Sequence, residues 1–340
     1  MLTLLYIDDP QFTDELWQHY YELLEELHKR YNTRFAQTSW LQTKERMLSF
    51  AKAEKAYHRF VVSDGNRMVG WAALCVRNPG TSKQAAYFDF DTALNKISAE
   101  FAHAVAPDIV RLLEKHNCST AHFTSTSQRT SELARMWGSR ELNRLDRYRL
   151  YRADANLTLM KQWLDTVPRA NPDLRLEFFD SVPDEYLASH TSLFVQFIRD
   201  MPTEREQETP FYMDNEEAKR QAEWHRQNNI FLYTYALFDQ DNNMVAHTNA
   251  SIDSSDPKDV YQSMTGVERK YRGRGLSKWL KAALFIKVGE DFPENEMMTT
   301  DMRAVHKPIQ KVNAQMGYVL ESQGNEYVID LESLHRFLAD

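Results

Sequence analysis

The run from Val267 to Lys281 constrains this chain more than any other stretch. An apolar strand ends at Val267, Gly273 and Gly275 follow one residue apart, and an amphipathic helix begins at once. Glycine lets a backbone bend into such a turn and approach a ligand with no Cβ in the way. The first N–H groups of the helix have no intrahelical partner and sit at its positive dipole end, where a phosphate is favoured. Arg272, Arg274, Lys278 and Lys281 add positive charge to this run in a protein of net charge −8. The turn therefore reads as a cradle for a pyrophosphate.

Composition narrows what surrounds that turn. A chain of 340 residues, 42% of them hydrophobic, is long enough for two domains with cores of their own. The negative balance argues against general nucleic-acid binding, which needs a broad basic surface. No apolar run approaches the roughly 20 residues that span a bilayer. Met1 to Asp9 lacks the basic start and long apolar stretch of a signal peptide and reads as a first strand. Cys75 and Cys118 make neither a disulfide framework nor a zinc set, so no metal is expected. These features predict a reduced, cytoplasmic protein with neither nucleic acid nor membrane as partner.

The chain reads as a duplication. Strand–turn–strand segments around Met68-Val69 and Met244-Val245 are offset by 176 residues (244 less 68). Gly138 and Tyr148 match Gly317 and Tyr327 at an offset of 179 (317 less 138). Near-constant offsets over separated segments point to two copies of one fold. The expected division is an N-terminal domain over 1–155, a linker helix and boundary over 156–172, and a C-terminal domain over 173–340. Each is mixed α/β, with a central mixed β-sheet flanked by helices. In the first copy helices are expected over Thr13–Tyr31 and Asp108–His116, and Arg144–Ala153 closes it as a strand. In the second, helices over Asp184–Arg199 and Asn215–Gln227 precede strands from Phe231, Met244 and Asp259, and Tyr327–Leu331 is the closing strand.

Lys270-Tyr271-Arg272-Gly273-Arg274-Gly275 resembles the signature of the GNAT superfamily of acyl-coenzyme A-dependent N-acyltransferases, Gln/Arg-x-x-Gly-x-Gly/Ala, with lysine at the first position. Asn313-Ala314-Gln315-Met316-Gly317-Tyr318 is similar to that family's later helix–strand element, and the duplication resembles its tandem, mycothiol synthase-like branch. The resemblance implies acetyl-CoA as co-substrate. It implies a binding set of Thr265, Gly266, Val267, Lys270, Arg272, Gly273, Arg274, Gly275, Leu276 and Ser277, joined by Asn313. The first copy departs from the pattern. Asp91 to Ser98 holds no glycine pair, and Asp89 and Asp91 repel phosphate, so cofactor binding is expected in the C-terminal domain alone.

Acyl transfer from a thioester needs a neutral amine, donors for the oxyanion and a proton for the departing thiolate. Along the strand from Met244, His247, Asn249, Ser251 and Asp253 share one face. His247 or Asp253 is the candidate base, against a solvated sheet face or, for Asp253, a cap on the turn at Ser254 to Pro257. Position 313 carries asparagine where many of the family carry a tyrosine acid, so His306 is the candidate donor, against a surface histidine ahead of Pro308. Glu204, Glu206, Glu208, Asp214, Glu216 and Glu217, with Phe211, Tyr212 and Trp224, read as an acidic rim for a cationic amine or as a solvated helix face. The function expected is an acetyl-CoA-dependent N-acetyltransferase acting directly on the amine of a small metabolite. The alternatives are a peptide or protein N-acyltransferase and a non-catalytic acyl-CoA sensor. Two copies in one chain form a pseudo-dimer, which makes a monomer sufficient.

Overall fold

The computed structural model describes residues 2–30, 39–54, 56–81, 84–94, 98–125, 128–204 and 213–339. In chain order the first elements are β1 (Leu2–Tyr6), α1 (Asp14–Arg30), α2 (Trp40–Ala53), β2 (Tyr57–Asp64), β3 (Arg67–Arg77), β4 (Ala85–Thr92), α3 (Ala99–Lys115), β5 (Thr120–Ser125), α4 (Gln128–Met136) and β6 (Arg140–Tyr151). After them come α5 (Leu157–Ala170), β7 (Arg175–Phe179), α6 (Asp184–Asp200), α7 (Asn215–Gln227), β8 (Ile230–Phe238), β9 (Met244–Asp253) and β10 (Asp259–Val267). The chain ends with α8 (Leu276–Asp291), β11 (Met297–Arg303), α9 (Lys307–Met316), β12 (Val319–Asp330) and α10 (Leu331–Ala339).

Two compact units form, one from Met1–Leu145, Thr203–Pro210 and Gln323–Asp340, the other from Asp146–Pro202 and Phe211–Ser322. The first unit's sheet runs β1-β2-β3-β4-β5-β12, antiparallel from β1 to β4 and parallel between β4 and β5. The crossover helix α3 buries Phe101, Val105, Ile109 and Leu113 against Phe60, Ala72 and Leu74 of the sheet. The second unit's sheet runs β7-β8-β9-β10-β11-β6, antiparallel from β7 to β10 and parallel between β10 and β11. Its crossover helix α8 buries Leu284, Phe285 and Val288 in the same manner. Identical strand order and direction in the two units bear out the duplication. The aligned Gly138 and Gly317 follow α4 and α9, both at positive φ (70° and 107°), where a side chain would be strained.

Three features differ from the sequence reading. The closing strands are exchanged: β6 lies beside β11, and β12 pairs with β5 through Asn325↔Ser125 to Asp330↔Thr120. The compact units therefore do not follow the expected 1–155 and 173–340 division. Local pattern cannot reveal this, because a strand's alternation does not say which sheet it joins. Helix α3 begins at Ala99 rather than Asp108 and runs through Pro107. Proline costs a helix interior about 3 kcal/mol. Burying Phe101 and Val105, each worth roughly 1.5–3 kcal/mol, offsets that cost. Asn95 to Ile97, Glu206, Glu208, Phe211 and Tyr212, all used above, lie outside the described residues, as does Tyr31. Among the described residues no helix is long and apolar enough to cross a membrane, and no group of three or more His, Cys, Asp or Glu side chains is placed to hold a metal ion.

Helix α10, last in the chain, completes the first unit's core through the fully buried Leu334. Leu334→Ala is expected to lower unfolding free energy by about 2–5 kcal/mol, as for other fully buried leucines. Denaturant titration measures this, and a loss below about 1 kcal/mol would remove α10 from that core.

Candidate active site

Strand β10 carries the site because it changes partners along its length. It pairs with β9 from Tyr261 to Val267 but slips register between Gln262 and Thr265, a bulge that pushes out Ser263 and Met264. Its parallel ladder with β11 covers Asp259–Tyr261 only. Past the bulge the strand reaches the glycine turn, where Gly273 and Gly275 hold φ of 81° and 80°. Nothing lies within 4 Å of a Cβ built on Gly273, so its left-handed backbone, not crowding, requires glycine. Helix α8 starts at Leu276 with no side-chain cap. Lys278 and Trp279 donate to the Gly275 carbonyl, which leaves the Leu276 and Ser277 N–H groups as the orphan donors of the first turn.

Those groups open on a cleft of about 360 Å³. Its lining includes Met264 to Val267, Arg272, Gly273, Gly275, Leu276 and Ser277, with Phe197 of α6 and His306 at the start of α9. Thr265, Gly266 and Val267 thus fall where expected. A Cβ on Gly266 would lie 1.8 Å from the Phe197 ring, so glycine here allows close approach.

The basic side chains are less available than the sequence suggested. Arg272 and Arg269 both bind Asp200 (2.8 and 2.5 Å), and the Arg269 hydrogen bond leads in holding that carboxyl below its usual range. Arg274 lines no part of the cleft; it binds Asp173 at 2.5 Å and Asn171 at 2.7 Å. Lys270 is exposed and lies 3.6 Å from Glu268. Lys281, counted above among the flanking charges, is buried. It donates to Gln262, which also receives the Tyr318 hydroxyl at 2.9 Å. Its helical position could not reveal this, because α8 is buried on most sides. The donors that face the cleft at this turn are therefore mainly backbone.

A second cavity, of about 500 Å³, lies across the bulge and is bounded by α6, α7 and β8 to β10. Ser263 lines this chamber while the next residue, Met264, lines the cleft; Phe194 and Phe197, one turn apart on α6, divide in the same way. Behind that division sits His247, fully buried, with its ring centroid 5.1 Å from Phe197, 6.4 Å from Phe194 and 4.4 Å from His190.

The hydrogen bonds fix the protons on both histidines. Thr234 donates to the Leu232 carbonyl and so accepts from Asn249 Nδ2 at 2.9 Å. That nitrogen also donates to His190 Nε2 at 3.0 Å, and Asn249 Oδ1 takes the proton of His247 Nδ1 at 2.8 Å. His190 then carries its proton on Nδ1, and His247 keeps a bare Nε2 lone pair with no partner. Burial holds both neutral, pushing His190 down to about 4 and His247 well below the usual imidazole range.

The face of β9 expected to be polar and open is buried at His247 and Asn249. Asp253 lines neither cavity. It accepts from the Ser255 amide at 3.0 Å and hydroxyl at 2.6 Å, which makes it a turn cap. His306 lines the cleft, its pKa lowered by burial and by the Arg272 and Arg303 charges. Asn313, on the buried side of α9, donates to Met302 Sδ at 3.9 Å, leaves Oδ1 unpartnered, and lines neither cavity. Of the acidic run, Asp214 caps α7, Glu217 is buried, and neither they nor Glu204, Glu216 or Trp224 line the chamber. Sequence reasoning missed His190 and Phe197. Their spacing on α6 reads as an ordinary apolar helix face.

Burial lowers the Lys281 ammonium to about 7, so between about 7 and its ordinary value of 10.5 the unfolded chain holds a proton that the folded chain does not. Stability is expected to rise with pH across that window. Lys281→Met should remove the rise. Denaturant midpoints at pH 7, 8 and 9 test this, and parallel wild-type and variant curves would show that the amine is not buried.

No family model and no curated protein matches the sequence. Solved structures do match in fold. A tandem GNAT protein from the clavulanic acid biosynthesis pathway superposes with a TM-score of 0.73 at 18% identity, covering 97% of this chain and 99% of its own. A GCN5-related N-acetyltransferase from Sphaerobacter thermophilus gives 0.60 at 10% identity, covering 97% and 96%. The glucosamine N-acetyltransferase region of a fungal multi-domain β-N-acetylglucosaminidase gives 0.55 at 11% identity, covering 96% of this chain and 38% of that one. The chain has the tandem fold of the GCN5-related N-acetyltransferases.

Proposed function

We propose that this protein transfers an acyl group, acetyl in the simplest case, from coenzyme A to the amine of a small metabolite. One observation carries the reading: the orphan N–H groups after Gly275 open on the same cleft as the β10 backbone past the bulge. The first suits a pyrophosphate and the second a pantetheine arm, whose amides need backbone partners. The thioester then reaches the bulge at Ser263 and Met264, where chamber and cleft adjoin. A chamber of about 500 Å³ suits a metabolite better than a peptide segment.

The acceptor nitrogen attacks the thioester carbon from the chamber side. The C–N bond forms, the carbonyl electrons move onto oxygen, and backbone N–H groups of the bulge hold that oxyanion. The amine proton passes to His247 Nε2, the unpartnered acceptor behind the division, once Phe197 turns aside. Collapse expels the thiolate into the cleft, and its proton comes from water, relayed through the neutral His306 ring on the cleft wall. Asn249 keeps His247 in the tautomer this needs.

Gly273→Glu is expected to weaken acetyl-CoA binding at least tenfold, because the new carboxylate projects into the cleft and repels phosphate. The same glutamate placed at Asp91 should change nothing. Calorimetric titration decides, and equal affinity in wild type and Gly273→Glu would overturn the assignment. Amine-dependent thiol release above the hydrolysis blank separates transfer from sensing. In that assay His247→Ala should lower kcat about 10²–10⁴-fold, the usual contribution of a general base, while acetyl-CoA affinity holds.

A further inference from the structure

We propose that the chamber selects an amine with an apolar, uncharged body of arylalkylamine size, and rejects amino acids and polyamines. The amine's fate rests on the acyl-transfer reading; its binding does not.

The wall away from the mouth is largely apolar, with Val182, Leu187 and Ala218 buried and Phe194 and Leu232 half-buried, and Phe231 stands exposed at the mouth. Charge is confined to the entrance. Among the described lining residues only Asp180 and Arg226 carry a fixed charge, both are exposed, and Arg226 is paired with Glu223 at 2.7 Å. A carboxylate drawn inside would find no fixed cation, and the buried His190 ring is held neutral. A second ammonium would find no anion. Either costs far more than the apolar contacts return.

The inner end is polar but neutral. Thr191, 3% exposed, lines the chamber with a buried hydroxyl that has no partner. Beside it His190 presents Nδ1–H, because Asn249 engages its other nitrogen. A buried hydroxyl left without a partner in a native protein marks a place where a bound molecule completes the hydrogen bonding. Together these two groups suit one neutral polar substituent, such as a hydroxyl, near the reacting nitrogen. The ammonium itself sheds its proton on entry, since desolvation disfavours the charged form.

Calorimetric titration without coenzyme A tests the proposal, with 2-phenylethylamine as probe against phenylalanine and 1,4-diaminobutane. The probe should bind at least about tenfold more tightly than either competitor. 2-Amino-1-phenylethanol should bind about fivefold more tightly again, and Thr191→Val should abolish that gain. Ala222→Trp, at a half-buried lining position on α7, should weaken the probe at least about tenfold by filling the space. Its thermal midpoint and acetyl-CoA affinity should not move. Competitors that bind as well as the probe, or a probe indifferent to both Ala222→Trp and Thr191→Val, would overturn the assignment. Gly273→Glu should leave probe binding intact. Probe binding without thiol release would therefore remove the transfer reading and leave the chamber's selectivity standing.

Discussion

The left-handed backbone at Gly273 and Gly275 is the constraint on which the site depends. It swings the chain out of β10 so that α8 begins with its first donors facing the cleft. Side-chain charge plays a smaller part than the arginine-rich sequence implies. Asp200 engages Arg269 and Arg272, and Asp173 engages Arg274. Both acids lie far from the turn in sequence, and both pin it in place. On the proposed reading, an incoming phosphate would meet a rigid set of N–H groups first and compete with Asp200 for Arg272 second. Preorganised dipoles need little rearrangement when an anion arrives, which is what a recognition site gains by leaning on backbone.

A second constraint lies one strand away. A buried imidazole pair offers several proton arrangements, and a single amide chooses among them. Thr234 accepts from Asn249, so the amide cannot flip without losing that bond. His190 thereby becomes a donor to the chamber and His247 an acceptor behind the cleft wall. Desolvation keeps both uncharged, so the pair differs in the direction of its hydrogen bonds rather than in charge. In the proposed reaction, recognition and proton acceptance would be divided between two residues of the same type.

Much of this was legible in the sequence, for identifiable reasons. The turn was legible because only glycine tolerates those dihedrals, and the duplication because glycines following equivalent helices recur at one spacing. The fate of each charge was not, because Asp200 and Asp173 reach the turn only through the tertiary fold. Lys281 reads as a surface lysine until Gln262 and Tyr318 are seen to enclose it. His190 sits among apolar neighbours on α6 and shows its role only when that helix lies over β9. The exchange of β6 and β12 was equally hidden, since pairing partners are chosen by geometry between strands that look alike.

On the proposed reading, the two crossover helices explain why duplication would bring one anion site and not two. Both follow the fourth strand of their sheet and lead to a parallel fifth. In the second unit α8 starts from glycine, and no side chain occupies its N-terminus. In the first, Ser98 accepts the Phe101 N–H at 3.1 Å, so a side chain of α3's own cap takes one of the first-turn donors. Ahead of it Thr92 binds the Val69 carbonyl, and Asp91 accepts the Thr92 N–H. A capping serine competes with any phosphate for a first-turn donor, and the Asp91 carboxylate repels it. What divides the copies is a local difference, glycine in one and capping residues in the other, within a strand order that each unit repeats.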